Sequence, residues 1–287
     1  MNVTEYLQKW SVSYRDDMLG NIMPFWLKHG LDLRNGGVYT CLDRDGSLID
    51  TTKSVWFQGR FAFTCSYAYN HIEQNPEWLA AAKSTIDFIE QHCFDSDGRM
   101  FFEVTASGEP LRKRRYVFSE TFAAIAMAEY AIASGEREYA EKALKLFKDI
   151  QRFLNTPGVL EPKYWNTVQS KGHSIVMILI NTASRIRAAI ADPALDKQID
   201  DSIALLQKDF MHPEFNALLE TVGSNGEFID TINGRIINPG HCIETSWFIL
   251  EEAKYRNWDK QLTDMALTIL DWSWEWGWDK EYGGLFY

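Results

Sequence analysis

Apolar positions along this chain fall into two alternating kinds of helical stretch. One kind is apolar around most of its circumference, as in Ala123 to Ala133 and Ile175 to Ile180, the pattern of a helix buried on all sides. The other carries apolar residues three and four apart with charge between them, as in AEKALKLFKDIQRFL, and so has one wet face. Half-exposed helices of this second kind are predicted over Trp78–Ile89, Glu138–Phe153, Leu195–Phe210 and Lys260–Trp274, with an amphipathic N-terminal helix over about Thr4–His29. Ahead of each buried helix lies a short strand-like segment with Gly. LDRDGS and TASGEP read as hairpin turns between such strands.

These segments are repeats. They begin at Gly36, Gly98, Gly158, Asn216 and Gly283, and so steady a period marks one structural unit used again and again. The third copy, GVLEPKYWNT, is the weakest. One buried and one half-exposed helix per unit describes two concentric layers, which predicts an all-α fold: an (α/α)6 barrel with short β-hairpins at one mouth. The five units are read as a single domain over residues 1–287, with no low-complexity linker dividing them. The last unit stops at Tyr287 inside its hairpin, so further helices are expected to close the barrel.

Bulk properties narrow the function. A net charge of −11, with no basic run longer than RKRR at 112–115, argues against nucleic acid as a partner. No apolar run has membrane-spanning length, the start MNVTEYLQKW lacks a secretory pattern, and a cytoplasmic protein is expected. Cys41, Cys65, Cys93 and Cys242 show no CxxC spacing and read as reduced, mostly buried thiols. No nucleotide-binding loop is present. Aromatics at 14%, with 11 Trp, suit either a core of large side chains or a cleft for sugar rings, and composition does not separate the two. Trp272, Trp274, Trp276 and Trp278 are read mainly as packing.

Candidate chemistry gathers where the buried helices begin, because free N–H groups and positive helix ends collect there. Reading across the units gives Trp56 and Arg60, Ser119 and Glu120, His173, and His241 with Glu244. Arg60 is equally readable as a structural ion-pair partner of Glu120 or Glu244, Glu120 as a backbone cap, and His173 as a core histidine. His241 is the sharpest candidate. INPGHCIE sets it at a helix entrance, with Glu244 at i+3 on the same face, in reach of the ring. The helix end biases the imidazole towards its neutral, basic form, while Glu244 pulls the other way. An HxxE pair also suggests metal, but no second pair recurs and no metal site is expected.

GGVYTCLDRDGSLIDTTKSVWFQGR, NPGHCIE and EYGGLFY together resemble the N-acylglucosamine 2-epimerase (renin-binding protein) family, with cellobiose 2-epimerases and aldose–ketose isomerases as more distant members. The match runs over essentially the whole chain. It implies an (α/α)6 barrel that interconverts N-acetylglucosamine and N-acetylmannosamine by removing and returning the C2 proton of the open-chain sugar. It also implies that His241 is one of two catalytic histidines, with Glu244 beside it, and that Arg60 binds substrate. His173 corresponds to a histidine of the middle inner helix and Glu281 to a further site carboxylate, while the second catalytic histidine is expected beyond EYGGLFY. No cofactor is implied as required; activation by ATP, known for some members, and assembly as a homodimer are left open. The competing readings are an aldose–ketose isomerase or cellobiose 2-epimerase using the same residues, a glycoside hydrolase using Glu120 with Glu244, and a non-catalytic sugar-binding barrel.

Overall fold

The computed structural model describes residues 2–160 and 168–286. These fall into two compact units, divided after Leu160. The first begins with α1 (Val3–Asp17), which runs through a π-turn, Met18–Ile22, into α2 (Met23–His29). The expected N-terminal helix is thus one run with a π-turn inside it. It continues with hairpin β1 (Cys41–Leu42) and β2 (Leu48–Asp50), strand β3 (Lys53–Ser54), α3 (Val55–His71) and α4 (Pro76–His92). Hairpin β4 (Glu103–Val104) and β5 (Pro110–Arg112) then leads to α5 (Phe118–Ser134) and α6 (Arg137–Asn155).

The second unit holds β6 (Ser170–Gly172), α7 (His173–Ala189), α8 (Pro193–Leu205) with a terminal π-turn, β7 (Met211–His212), β8 (Ala217–Leu218) and β9 (Thr221–Gly223). It ends with α9 (Pro239–Tyr255) and α10 (Lys260–Gly277). The hairpin expected at GVLEPKYWNT falls mostly on residues 161–167, outside the described residues. No helix among the described residues is long and apolar enough to cross a membrane.

The alternation expected from the sequence is present in both units. α3, α5, α7 and α9 are each 17 residues long, and every residue of α5 from Ser119 to Ala131 is buried. The helices between them keep one wet face. Local chemistry explains the starts. Asn75, Asp192 and Asn238 cap α4, α8 and α9 with a side-chain oxygen, and Pro occupies the first helical position each time, where its missing N–H costs nothing.

Three of the repeats carry two turns among the described residues where the sequence pattern suggested one, and the last carries the first of them. The first closes on a pair of facing residues: Leu31 with Val38, Phe94 with Met100, Met211 with Leu218, Trp278 with Leu285. The second is the hairpin turn itself, at Gly46, Gly108 and Gly226, all with φ near +90°. A Cβ there would also meet His29, His92 or Asp209 within 2.7 Å, so glycine is required twice over. Buried Lys53 and its counterpart Lys171 tie the strand before the inner helix to the next turn. Lys53 Nζ donates to Asp32 (2.8 Å), the Gly36 carbonyl (2.7 Å) and the Ala106 carbonyl (2.9 Å). Lys171 reaches Asp209 and the Ser224 carbonyl. Three acceptors satisfy all three ammonium protons of Lys53, the condition under which a charge tolerates full burial.

α3 and α5 approach closely at Gly59, where a Cβ would lie 2.6 Å from the backbone carbon of Phe122. Helix propensity favours Ala over Gly by about 1 kcal/mol, but overpacking against backbone costs about 1–3 kcal/mol. The clash should win. Gly59→Ala is therefore expected to lower the denaturant midpoint, whereas Gly20→Ala, with nothing within 4 Å of its Cβ, should leave it unchanged or raise it. Equal effects of the two substitutions in urea unfolding would contradict this account of the helix contact.

Candidate active site

In the second unit, two helix starts and one carboxylate are brought together by very little backbone. β6 and β9 pair antiparallel, with Gly172 opposite Thr221. The ladder runs one step further, so the His173 N–H donates to the Glu220 carbonyl at 3.0 Å. Glu220 in turn donates its own N–H to the Ile236 carbonyl at 3.1 Å, just ahead of α9. Asn238 caps α9 by accepting the His241 N–H (3.2 Å). Glu220 is thereby held between the first residue of α7 and the first turn of α9.

Its carboxylate serves both imidazoles, unequally. His241 Nδ1 lies 3.0 and 3.1 Å from the two oxygens of Glu220, while His173 Nδ1 lies 3.6 Å from one of them. The other ring nitrogen of His173 is 2.8 Å from Thr245 Oγ1. His173 is fully buried, and His241 keeps about a third of its side chain exposed. Burial opposes charge on Glu220, but the two imidazoles beside it, His173 and His241, outweigh it and bring its pKa down to about 2. The bond to Glu220 raises the pKa of His241 against the opposing effect of burial, with Glu244 adding a weaker push in the same direction. Burial lowers that of His173, more than Glu220 can restore.

The proton arrangement follows. An ionised Glu220 accepts Nδ1–H from His241, so that once the ring is neutral Nε2 has a bare lone pair: the form of a general base, fixed by a carboxylate behind it. His173, Glu220 and His241 also offer donor atoms within 4.8 Å of one another. A cation there would have to displace the proton that Glu220 shares with His241.

Several sequence expectations are corrected by this geometry. Glu244 is not the carboxylate on His241; it acts on the ring only at longer range, and Glu220 takes the place assigned to it. The balance left open between the helix end and a neighbouring carboxylate falls to the carboxylate, which is Glu220. Sequence reasoning missed Glu220, although a signal existed. Aligning the repeats on Gly46, Gly108 and Gly226 sets Glu220 level with Thr40 and Phe102, a charge where the other copies have none. Glu281 is exposed in the turn after α10, its N–H donated to Asp279. Trp276 donates to the Phe215 and Asn216 carbonyls and lines an apolar cleft of about 360 Å³ with Phe215, Phe228 and Phe286.

In the first unit, Trp56 and Arg60 stand together at the start of α3. Arg60 is exposed and stacks 4.3 Å above the Phe122 ring. Trp56 sits among Phe102, Tyr116, Phe118 and Phe122, with its indole Nε1 buried and unbonded to any described residue. Glu120 is fully buried, accepting from Arg99 Nε at 2.6 Å and from the Met100 N–H at 3.0 Å. Its Oε1 is paired with Arg99, not with Arg60, and caps a backbone N–H, as its structural reading expected. The hydrolase reading, which needs Glu120 exposed to a glycosidic bond, loses one of its two carboxylates.

Comparison with known proteins bears on the family and the fold. The family model for N-acylglucosamine 2-epimerase (GlcNAc 2-epimerase) matches residues 37–287. N-acylglucosamine 2-epimerase of Bos taurus is 31% identical over 276 residues, covering 94% of this chain and 65% of that protein. The chain thus spans about two thirds of the length of that relative. Among solved structures, cellobiose 2-epimerase from Bacillus thermoamylovorans B4167 superposes with a TM-score of 0.83 at 21% identity, covering 96% of this chain and 74% of that one. A D-mannose isomerase superposes with a TM-score of 0.76 at 18% identity, covering 92% and 71%. The fold is accordingly the (α/α)6 barrel type of the cellobiose 2-epimerases, and the chain belongs to the N-acylglucosamine 2-epimerase family.

Proposed function

We propose that this protein interconverts N-acetylglucosamine and N-acetylmannosamine by moving the C2 proton of the open-chain sugar, with His241 as the base on one face. The observation that carries this reading is the part-exposed imidazole whose Nδ1 is held by the Glu220 carboxylate. The C2 proton is acidic only beside an aldehyde, so ring opening precedes its removal. The resulting negative charge on O1 calls for cationic or N–H donors. By family resemblance Arg60 binds substrate. Inversion requires a proton donor on the opposite face. His173 is fully buried and is not that donor; its place is behind His241. No cofactor enters this chemistry, since the aldehyde itself supplies the acidity. The net charge of −11 supports a small-molecule partner rather than a nucleic acid, and four free thiols suit a reducing cytoplasm.

The direct test is proton NMR of N-acetylglucosamine incubated with the protein in D₂O. Deuterium should enter at C2, and His241→Asn should slow that exchange by about 10²–10⁴-fold without altering the melting temperature. Exchange that survives His241→Asn would remove His241 from the reaction, and a ketose product would replace epimerisation by isomerisation.

The pH dependence has a definite sign. A raised His241 pKa keeps the ring protonated, and so inactive as a base, to higher pH than an ordinary histidine. The acid limb of kcat/KM should therefore have its midpoint above the ordinary imidazole value. Glu220→Gln should move that limb to lower pH and reduce the plateau rate about 10–100-fold, as losses of a supporting carboxylate typically do. An acid limb unmoved by Glu220→Gln would show that Glu220 does not govern the base.

A further inference from the structure

The carboxylate of Glu220 faces two histidines, yet only one of them is in hydrogen-bond range of it. Thr245, one helical turn after His241 on α9, explains the choice. Its hydroxyl has a single proton, and two groups sit 2.8 Å from Oγ1: the carbonyl of His241 and Nε2 of His173. A carbonyl only accepts, so the hydroxyl proton must lie on the His241 side. Oγ1 then meets His173 with a lone pair, and the contact is a hydrogen bond only if Nε2 carries hydrogen.

A neutral His173 protonated at Nε2 has a bare Nδ1. Its 3.6 Å separation from Glu220, against 3.0 Å for His241, is the spacing of two acceptors that do not bond. Resting on the proposed role of His241, we infer that Thr245 is a positioning residue that locks His173 in its Nε2–H tautomer and so reserves Glu220 for His241. The groups around His173 are Glu220 on the strand side, His241 across from it at a ring separation of 6.3 Å, and Phe210 at 5.9 Å. Without the hydroxyl, a buried Nε2–H would have no acceptor. The cheaper state moves the proton to Nδ1, where it bonds to Glu220. Two donors would then share one carboxylate, and His241 would lose both orientation and basicity.

The test uses ¹⁵N-histidine NMR of the substrate-free protein, which reads tautomers whatever the reaction is. In the unsubstituted protein His173 should carry its proton on Nε2. Thr245→Val, close in shape but without the hydroxyl, should move it to Nδ1, shift the acid limb of kcat/KM to lower pH and lower kcat about 10–100-fold. Thr245→Ser should restore all three. Finding the proton on Nδ1 in the unsubstituted protein would overturn the inference without recourse to any variant. So would a Thr245→Val protein that loses activity while His173 keeps its tautomer. A tautomer shift with no accompanying change in kinetics would leave the lock in place and refute its link to His241.

Discussion

Everything chemical in the second unit depends on one short backbone ladder. The His173 N–H bonds to the Glu220 carbonyl, and the Glu220 N–H to that of Ile236, so a single residue is tied to the approaches of both α7 and α9. Neither strand exceeds three residues. An isolated pair of this size has no stability of its own; it persists because the helices on either side are packed. The ladder converts that packing into position, setting one carboxylate behind one imidazole without any side chain having to reach far.

The same hardware is used elsewhere without the chemistry. In the first unit, the Val55 N–H bonds to the Phe102 carbonyl, and the Phe102 N–H to that of Arg112, the counterpart of the His173–Glu220–Ile236 chain. There the side chain delivered is Phe102, packed edge-on against Trp56. One backbone arrangement therefore serves an aromatic cluster in one repeat and the support of a base in another. This is how a repeat architecture acquires a site: the turns, caps and strand lysines stay, and a few positions change character. The family membership and the barrel fold sit on that common frame, whereas the reaction resides in the changed positions.

What the sequence revealed follows the range of the interactions involved. Helix period, turn glycines and caps are local, and the four half-exposed helices lie within a few residues of their expected bounds. His241 was legible because Asn238, Pro239 and Gly240 announce a helix start in adjacent positions. Its carboxylate was not. Glu244 sits on the same helix and is easy to see at i+3, but Glu220 arrives through a strand pairing 21 residues away in sequence. The partner of Glu120 was hidden for the same reason: nothing near it in sequence announces that Arg99 will pair with it. Charged groups at buried helix starts could be found by pattern, but whether each is spent on structure or left for a ligand is a tertiary matter.

The central claim is that His241 presents a bare Nε2 to C2 of an open-chain sugar while Glu220 holds its Nδ1. The measurement that bears on this most directly is a crystal structure of the protein with an acyclic alditol analogue of N-acetylglucosamine. The account predicts the second carbon within about 3–3.5 Å of His241 Nε2, the near-attack separation, with the Glu220–Nδ1 contact intact. An analogue bound with its second carbon out of reach of His241, or a ring turned so that Nε2 faces Glu220, would contradict it.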